Sequence, residues 1–309
     1  MDMTRPTSSP GSPKAHAPMA DLGAVELGGT KTLVAVGSPD GSLGEVRQIA
    51  TGDGQSTLDT VAGALSSENL SAIGVAAFGP LELRPGHPGF GRMLSTPKLG
   101  WSGTDIVGHL TDRLGLPVAI DTDVNAAAVG EGRLGASAGL ANHVYITVGT
   151  GVGVGIVADH RVHRALAHPE AGHMVVKRHH RDDYTGSCPF HGDCLEGMAS
   201  GPAVAGRFGS DPYLLRGSAL DEAVDLVAFY LAQAVRNLVY TLAPERFVIG
   251  GGISKMDGFH RRVRAHLDNQ LAGYGVLDEY GSSGFVVAPG LGDRSGLTGA
   301  VLMAAAVVV

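Results

Sequence analysis

Short apolar runs of strand length, each followed by a glycine-rich turn, alternate along this chain with longer segments of helical periodicity. Residues 24–27 and 32–36 read as two strands around the turn Gly28-Gly29-Thr30-Lys31, and Ser38-Pro39-Asp40-Gly41 closes the second. The same layout returns about 120 residues later: a strand at 144–148, the turn Gly149-Thr150-Gly151-Val152-Gly153, and a return strand at 154–157. Further strands are predicted at 73–77, 118–121 and 247–249, the last running into Gly250-Gly251-Gly252. Apolar residues at Leu220, Val224, Val227, Leu231, Val235, Leu238 and Leu242 predict a helix over 220–242, ended by Pro244. Other helices are predicted near 104–114, after Asn125, from a Ser254 cap through Phe259 to Leu271, and over the apolar C-terminus at 297–309. Residues 78–100 read as loop. Strand and helix alternate throughout, so the class is α/β, and two glycine-turn hairpins imply two lobes facing a cleft.

Composition narrows the picture. A chain of 309 residues buries roughly 75% of its unfolded surface and tends to divide into two lobes, and 44% hydrophobic residues supply the core. Its 47 glycines are about twice the average share, which suits many tight turns. The net charge of −7 and the absence of a basic stripe argue against a nucleic-acid partner, because neutralising a phosphate backbone takes clustered Lys and Arg. The first 20 residues hold no apolar run fit for a signal peptide and read as a disordered tail, with order expected from Leu22 and the cytoplasm as the compartment. The C-terminal apolar run falls short of the roughly 20 residues that cross a bilayer, so it reads as a buried helix and no membrane is implied.

The chain's only two cysteines lie in Cys188-Pro189-Phe190-His191-Gly192-Asp193-Cys194, downstream of Glu170-Ala171-Gly172-His173 and next to Glu196. Two thiolates and two imidazoles form a donor set suited to tetrahedral, structural Zn²⁺. His173 is a candidate for the fourth ligand, with His179 and His180 as rivals that spacing alone does not exclude; a Cys188–Cys194 disulfide is the alternative to a metal. Glycine turns with a threonine hydroxyl can cradle phosphate, since backbone N–H groups approach an anion without Cβ interference. Neither turn matches a Walker A loop, and no dinucleotide fingerprint is present. Asp121-Thr122-Asp123-Val124-Asn125 lies at a strand's carboxyl end before an Ala-rich helix. Phosphoryl transfer to a hydroxyl needs positioning, charge neutralisation and a carboxylate to take the proton. Asp123 suits that role, although either aspartate could instead cap the helix.

Taken together and in this order, these motifs resemble the ROK group of sugar kinases and repressors, and the resemblance runs from about Leu22 to the C-terminus. They are Gly28-Gly29-Thr30-Lys31, Asp123-x-Asn125-x-x-Ala128-x-Gly130-Glu131, Gly149-Thr150-Gly151-Val152-Gly153, Glu170-x-Gly172-His173, Cys194-Leu195-Glu196 and Gly250-Gly251-Gly252. The resemblance implies an actin-like ATPase (ribonuclease H-like) fold with a small lobe of residues 22–121 plus about 293–309 and a large lobe of 122–292 carrying the zinc loop. It implies Asp123 as general base, and a sugar pocket of Gly79, Pro80, Thr122, Glu170, His173 and Glu196. An ATP site would comprise Gly28, Gly29, Thr30, Lys31, Gly149, Thr150, Gly151, Pro202, Gly250, Gly251 and Gly252, with Mg²⁺ carried by the nucleotide. Zinc would be held by His173, Cys188, His191 and Cys194, and the family suggests a homodimer.

Several features are similar to the fructokinase branch of that group: Cys188-x-x-His191-x-x-Cys194 where most members carry three cysteines, Glu26 where most have Asp, and Thr122 where most have Asn. Thr122 removes an amide from the sugar pocket and leaves glucose specificity unsupported. Phe78-Gly79-Pro80 and Thr96-Pro97-Lys98-x-Gly100-Trp101 agree with the same branch and would fall near substrate, with Trp101 equally suited to the core. The expectation is an ATP-dependent fructokinase. The alternatives are a glucokinase, mannokinase or N-acylhexosamine kinase, and a sugar-sensing repressor, which would need a DNA-binding module ahead of the first turn where 21 residues stand.

Overall fold

The computed structural model describes residues 21–308, and its strands fall into two rounds of one pattern. In the first round β1 (Asp21–Leu27), β2 (Lys31–Gly37) and β3 (Arg47–Ala50) form an antiparallel meander, while β4 (Leu70–Ala77) and β5 (Val118–Thr122) add in parallel beyond β1, giving the order β3-β2-β1-β4-β5. In the second, β6 (His143–Val148), β7 (Val152–Ala158) and β8 (Arg161–Val162) repeat the meander, and β9 (Arg246–Gly250) and β10 (Val286–Val287) repeat the parallel addition. The second order, β10-β9-β6-β7-β8, equals the first when counted from its own first strand. The Gly/Thr hairpin seen twice in the sequence is therefore the legible part of a duplicated five-stranded unit.

Helices cover both sheets. On the first, α1 (Gly54–Leu65) and α2 (Ile106–Leu114) pack with Val25, Leu27, Ile73 and Val75, while α8 (Ser295–Val308) packs on the opposite face with Leu22, Ala24, Ala72 and Ala76. Successive strand side chains point to opposite faces, so burial on both sides turns β1 and β4 into continuous apolar runs. Apart from Leu22 the residues named facing α8 are alanines, and Gly74 shows how close the helix comes: a Cβ there would lie 1.7 Å from the carbonyl oxygen of Ala300. On the second sheet α6 (Gly217–Leu242) and α7 (Phe259–Leu271) cover one face, and α3 (Asp123–Leu134) covers the other through Val124, Ala127 and Ala128. Helices α3 and α8 pack against each other between the two sheets. The short helices α4 (Leu195–Ala199) and α5 (Gly201–Phe208) follow the cysteine loop.

Some boundaries differ from the sequence reading. The tail expected at 1–21 lies outside the described residues apart from Asp21, which opens β1. Ser254 does not cap α7: it sits in a 3₁₀ turn, Ile253–Lys255, and its hydroxyl donates to the Gly251 carbonyl at 2.8 Å. The helix starts only at Phe259, after Gly258 at φ +72°. Helix α1 carries no expectation from the sequence, although Asp53 caps it by accepting from Ser56 N–H at 3.0 Å. Trp101 is fully buried, donates to the Gly52 carbonyl at 2.8 Å and meets Phe78 edge-on, so of its two readings the core one holds. Among the described residues no helix is long and apolar enough to cross a membrane.

Candidate active site

The carboxyl end of β5 delivers two aspartates into different surroundings. Thr122, not an aspartate, caps α3: its Oγ1 accepts from Asn125 N–H at 3.2 Å. Asp121 is buried and consumed, its Oδ1 accepting from Thr122 N–H at 2.8 Å and Asn125 Nδ2 at 2.7 Å, while Oδ2 lies 3.4 Å from Arg164. Asp123 accepts from Val124 N–H at 2.9 Å through Oδ1, and among the described residues no donor reaches its Oδ2. Burial pushes the Asp123 carboxyl up to about 6; the Val124 amide opposes the rise and the Glu170 carboxylate adds to it. The result is an acceptor oxygen left open beside a second acid, as a general base requires.

Glu26 at the end of β1 belongs to the same electrostatic group. Burial pushes it up to about 7, Asp123 raises it further, and Lys31 from the first glycine turn opposes them. Its Oε2 is buried and has no hydrogen-bond partner among the described residues.

Glu170 and His173 share one 3₁₀ turn, Ala171–His173, in which His173 N–H donates to the Glu170 carbonyl at 3.0 Å. Glu170 is exposed, and a methyl on Gly79 would stand 3.6 Å from its Oε1, so the segment after β4 and the segment after β8 face each other. Glu196, in the first turn of α4, accepts from Val152 N–H at 3.0 Å and so fixes the second glycine turn. Pro202 opens α5 behind the Ser200 cap. Gly201 N–H donates to the Gly149 carbonyl at 2.7 Å, and Gly251, at φ +87°, lies so close to Val148 that a Cβ would come within 2.4 Å of its oxygen. The expected Gly149–Gly151, Pro202 and Gly250–Gly252 residues thus form one cluster at the carboxyl ends of β6 and β9. The Gly28–Lys31 turn lies on the other sheet, and its Lys31 is close enough to Glu26 to act on it, as is Asp123.

His173, Cys188, His191 and Cys194 converge, their ligand atoms lying within 4.8 Å of one another. The Nδ1 atoms of the two histidines are 3.3 Å apart, and Cys188 Sγ and Cys194 Sγ each lie 3.6 Å from His173 Nδ1. A tetrahedron with ordinary Zn–N and Zn–S bonds has edges of about 3.3 Å between nitrogens and about 3.6 Å between nitrogen and sulfur. The donor set therefore fits Zn²⁺. Cys188 and Cys194 are not bonded to each other in the structure. The rivals His179 and His180 stand apart from the cluster, with His179 edge-on to Phe229. Cys194 caps α4 and bridges to Val175, so a metal here would tie the turn carrying Glu170 to the helix carrying Glu196.

Two residues at this site were not singled out from the sequence. Arg164 partners Asp121, and buried His168 accepts from Leu81 N–H through Nε2 at 3.0 Å. The available signal was position: His168 stands two residues before Glu170 in the same acidic, histidine-bearing segment. Glu131, part of the helix motif, proves to be a buried staple: it accepts from Ala136, Gly290 and Leu291 N–H groups and from Ser295 Oγ.

The ROK family profile matches residues 22–307. A fructokinase of Zymomonas mobilis is 38% identical over 92% of this chain and 96% of that protein, and a fructokinase of Pediococcus pentosaceus is 36% identical over 92% and 98%. Among solved structures, a ROK family glucokinase from Streptomyces griseus, in complex with glucose and AMPPNP, superposes with a TM-score of 0.75 at 25% identity, covering 92% of this chain and 99% of that one.

Proposed function

The chain belongs to the ROK family, and on that premise we propose that it is an ATP-dependent hexose kinase whose substrate is fructose, giving fructose 6-phosphate. One observation carries the reading: burial raises both carboxyls, but Asp123, at the head of α3 and beside Glu170, keeps an open carboxylate oxygen while its neighbour Asp121 is bound at both. Asp123 accepts the proton of the attacking hydroxyl, Glu170, His173, Glu196, Thr122, Gly79 and Pro80 bound the sugar, and phosphoryl transfer proceeds in line. The glycine turns at 28–31, 149–151 and 250–252, with Pro202, hold the nucleotide. Glu26, whose Oε2 has no hydrogen-bond partner among the described residues, offers an oxygen of the kind Mg²⁺ takes, and Mg²⁺ bound with ATP would supply neutralisation of phosphate charge. Zn²⁺ on His173, Cys188, His191 and Cys194 is structural, since four protein ligands leave no open position.

Two fructokinase relatives at 36% and 38% identity support fructose over glucose. The lobes expected at 22–121 with 293–309 and at 122–292 would close on the cleft during turnover, in the cytoplasm and as a dimer. A coupled ADP-release assay over fructose, mannose, glucose and their N-acetyl forms tests the reading. Fructose should give the highest kcat/KM; a hexose preferred over it moves the assignment to that sugar, and inactivity on all of them ends the kinase proposal.

A further inference from the structure

The segment from Arg164 to Glu170 follows β8 of the second sheet, yet its polar contacts are to the first. Arg164 lies 3.4 Å from Asp121, at the end of β5. His168 is buried, at 8% exposure, and its Nε2 accepts from Leu81 N–H, in the loop after β4, at 3.0 Å. With Nε2 occupied as an acceptor, the ring proton resides on Nδ1. That atom is 3.5 Å from Glu170 Oε1. The ring also packs against Gly79, where an added methyl would stand 3.3 Å from Cε1. One imidazole thus ties the Gly79-Pro80-Leu81 loop of the first sheet to an acid of the second, and that acid lies near enough to Asp123 to raise it.

We propose that His168 is a positioning residue for sugar recognition: by reading the Leu81 amide with one ring nitrogen and presenting N–H to Glu170 with the other, it sets the Glu170 carboxylate relative to the Gly79-Pro80 wall. The distance between those two walls decides which hydroxyls of a hexose can be met together, so His168 governs affinity and discrimination for the sugar and leaves the nucleotide alone. This rests on the hexose-kinase reading above. The geometric reason is that Glu170 is otherwise unconstrained, being an exposed side chain on a 3₁₀ turn without a side-chain cap.

Two substitutions separate the two halves of the contact. In His168→Gln the longer amide can still accept from Leu81 N–H but cannot present a donor at the Nδ1 position. In His168→Asn the shorter amide reaches Glu170 and releases Leu81. For His168→Gln, KM for the preferred hexose should rise by about tenfold, the size of change expected when the Nδ1 contact that sets the Glu170 carboxylate is lost. The preference between hexoses should narrow, with KM for ATP and the thermal midpoint held near wild type. His168→Asn should keep hexose KM closer to wild type and lose thermal stability. Calorimetric titration with the hexose, without nucleotide, reads the same affinity change independently of turnover. Active wild type alongside a His168→Gln enzyme with hexose KM within twofold overturns the role of His168 alone. A variant that raises both KM values equally also overturns it, since that is what a general structural defect does. Wild type that neither binds nor phosphorylates any hexose overturns the kinase reading and this inference with it.

Discussion

Asp121 and Asp123 stand on either side of Thr122, and the fold gives the first a partner at each carboxylate oxygen and the second an open oxygen. The asymmetry separates them: Asp121 fastens Asn125 and Arg164, and Asp123 keeps the open oxygen that the proposed base role needs. Replacing Asp123 by Asn should preserve hexose and ATP binding and lower kcat by about 10²- to 10⁴-fold, the usual contribution of a positioned base. Single-turnover kinetics with calorimetric binding checks this, and turnover equal to wild type would remove Asp123 from the mechanism.

The pH profile follows from the surroundings of Asp123. Its carboxyl is raised to about 6, so the base is protonated below that point and kcat/KM for hexose should climb with pH through about 6. The Glu170 carboxylate contributes to the rise, and Glu170→Gln removes that like charge. The ascending limb in this variant should therefore shift to lower pH, on top of any loss of sugar affinity. A limb that stays in place would separate Glu170 electrically from Asp123.

Zinc should be present at about one per chain in protein purified without a histidine tag, as elemental analysis can determine. Because a metal that binds only the native state adds its binding free energy to stability, chelation should lower the thermal midpoint. Hexose affinity should fall in parallel, since His173 and Glu170 lie on one 3₁₀ turn. Full sugar affinity in metal-free protein would detach the cluster from the pocket.

Glu131 gives a prediction about stability without chemistry. Its carboxylate accepts four hydrogen bonds, three from backbone N–H groups and one from Ser295 Oγ at 2.7 Å, joining α3 to the loop before α8. Glu131→Ala should cost roughly 3–5 kcal/mol in urea unfolding, since it orphans one buried hydroxyl and three part-buried amides that water can partly satisfy, at about 1 kcal/mol each. A loss under 1 kcal/mol would mean that the loop finds other acceptors.

Gly251→Ala places a Cβ against Val148 in backbone that L-residues rarely adopt. KM for ATP should rise sharply while calorimetric hexose affinity persists, because the strain falls at the carboxyl ends of β6 and β9 and spares the Glu170 side of the site. Equal loss of both would place the turn under the whole cleft.

Much of this protein was legible in order along the chain. Apolar runs, glycine turns and helical spacing depend on nearest neighbours, so β1, β2, β6, β7 and α6 follow from the sequence. The zinc donors were legible too, because three of them lie within seven consecutive residues. Which histidine completes the set, which aspartate is free, and where Trp101 lies depend on partners far apart in the chain: His173 is chosen because its turn meets Cys188 and Cys194, and Asp121 is consumed because Arg164 reaches it from beyond the second sheet's meander. The duplication shows the same division. Hairpins are local and announce themselves twice, whereas the matching strand order arises only when β4 and β9 pair in parallel across intervening helices, and a parallel pairing leaves no short-range mark in the sequence.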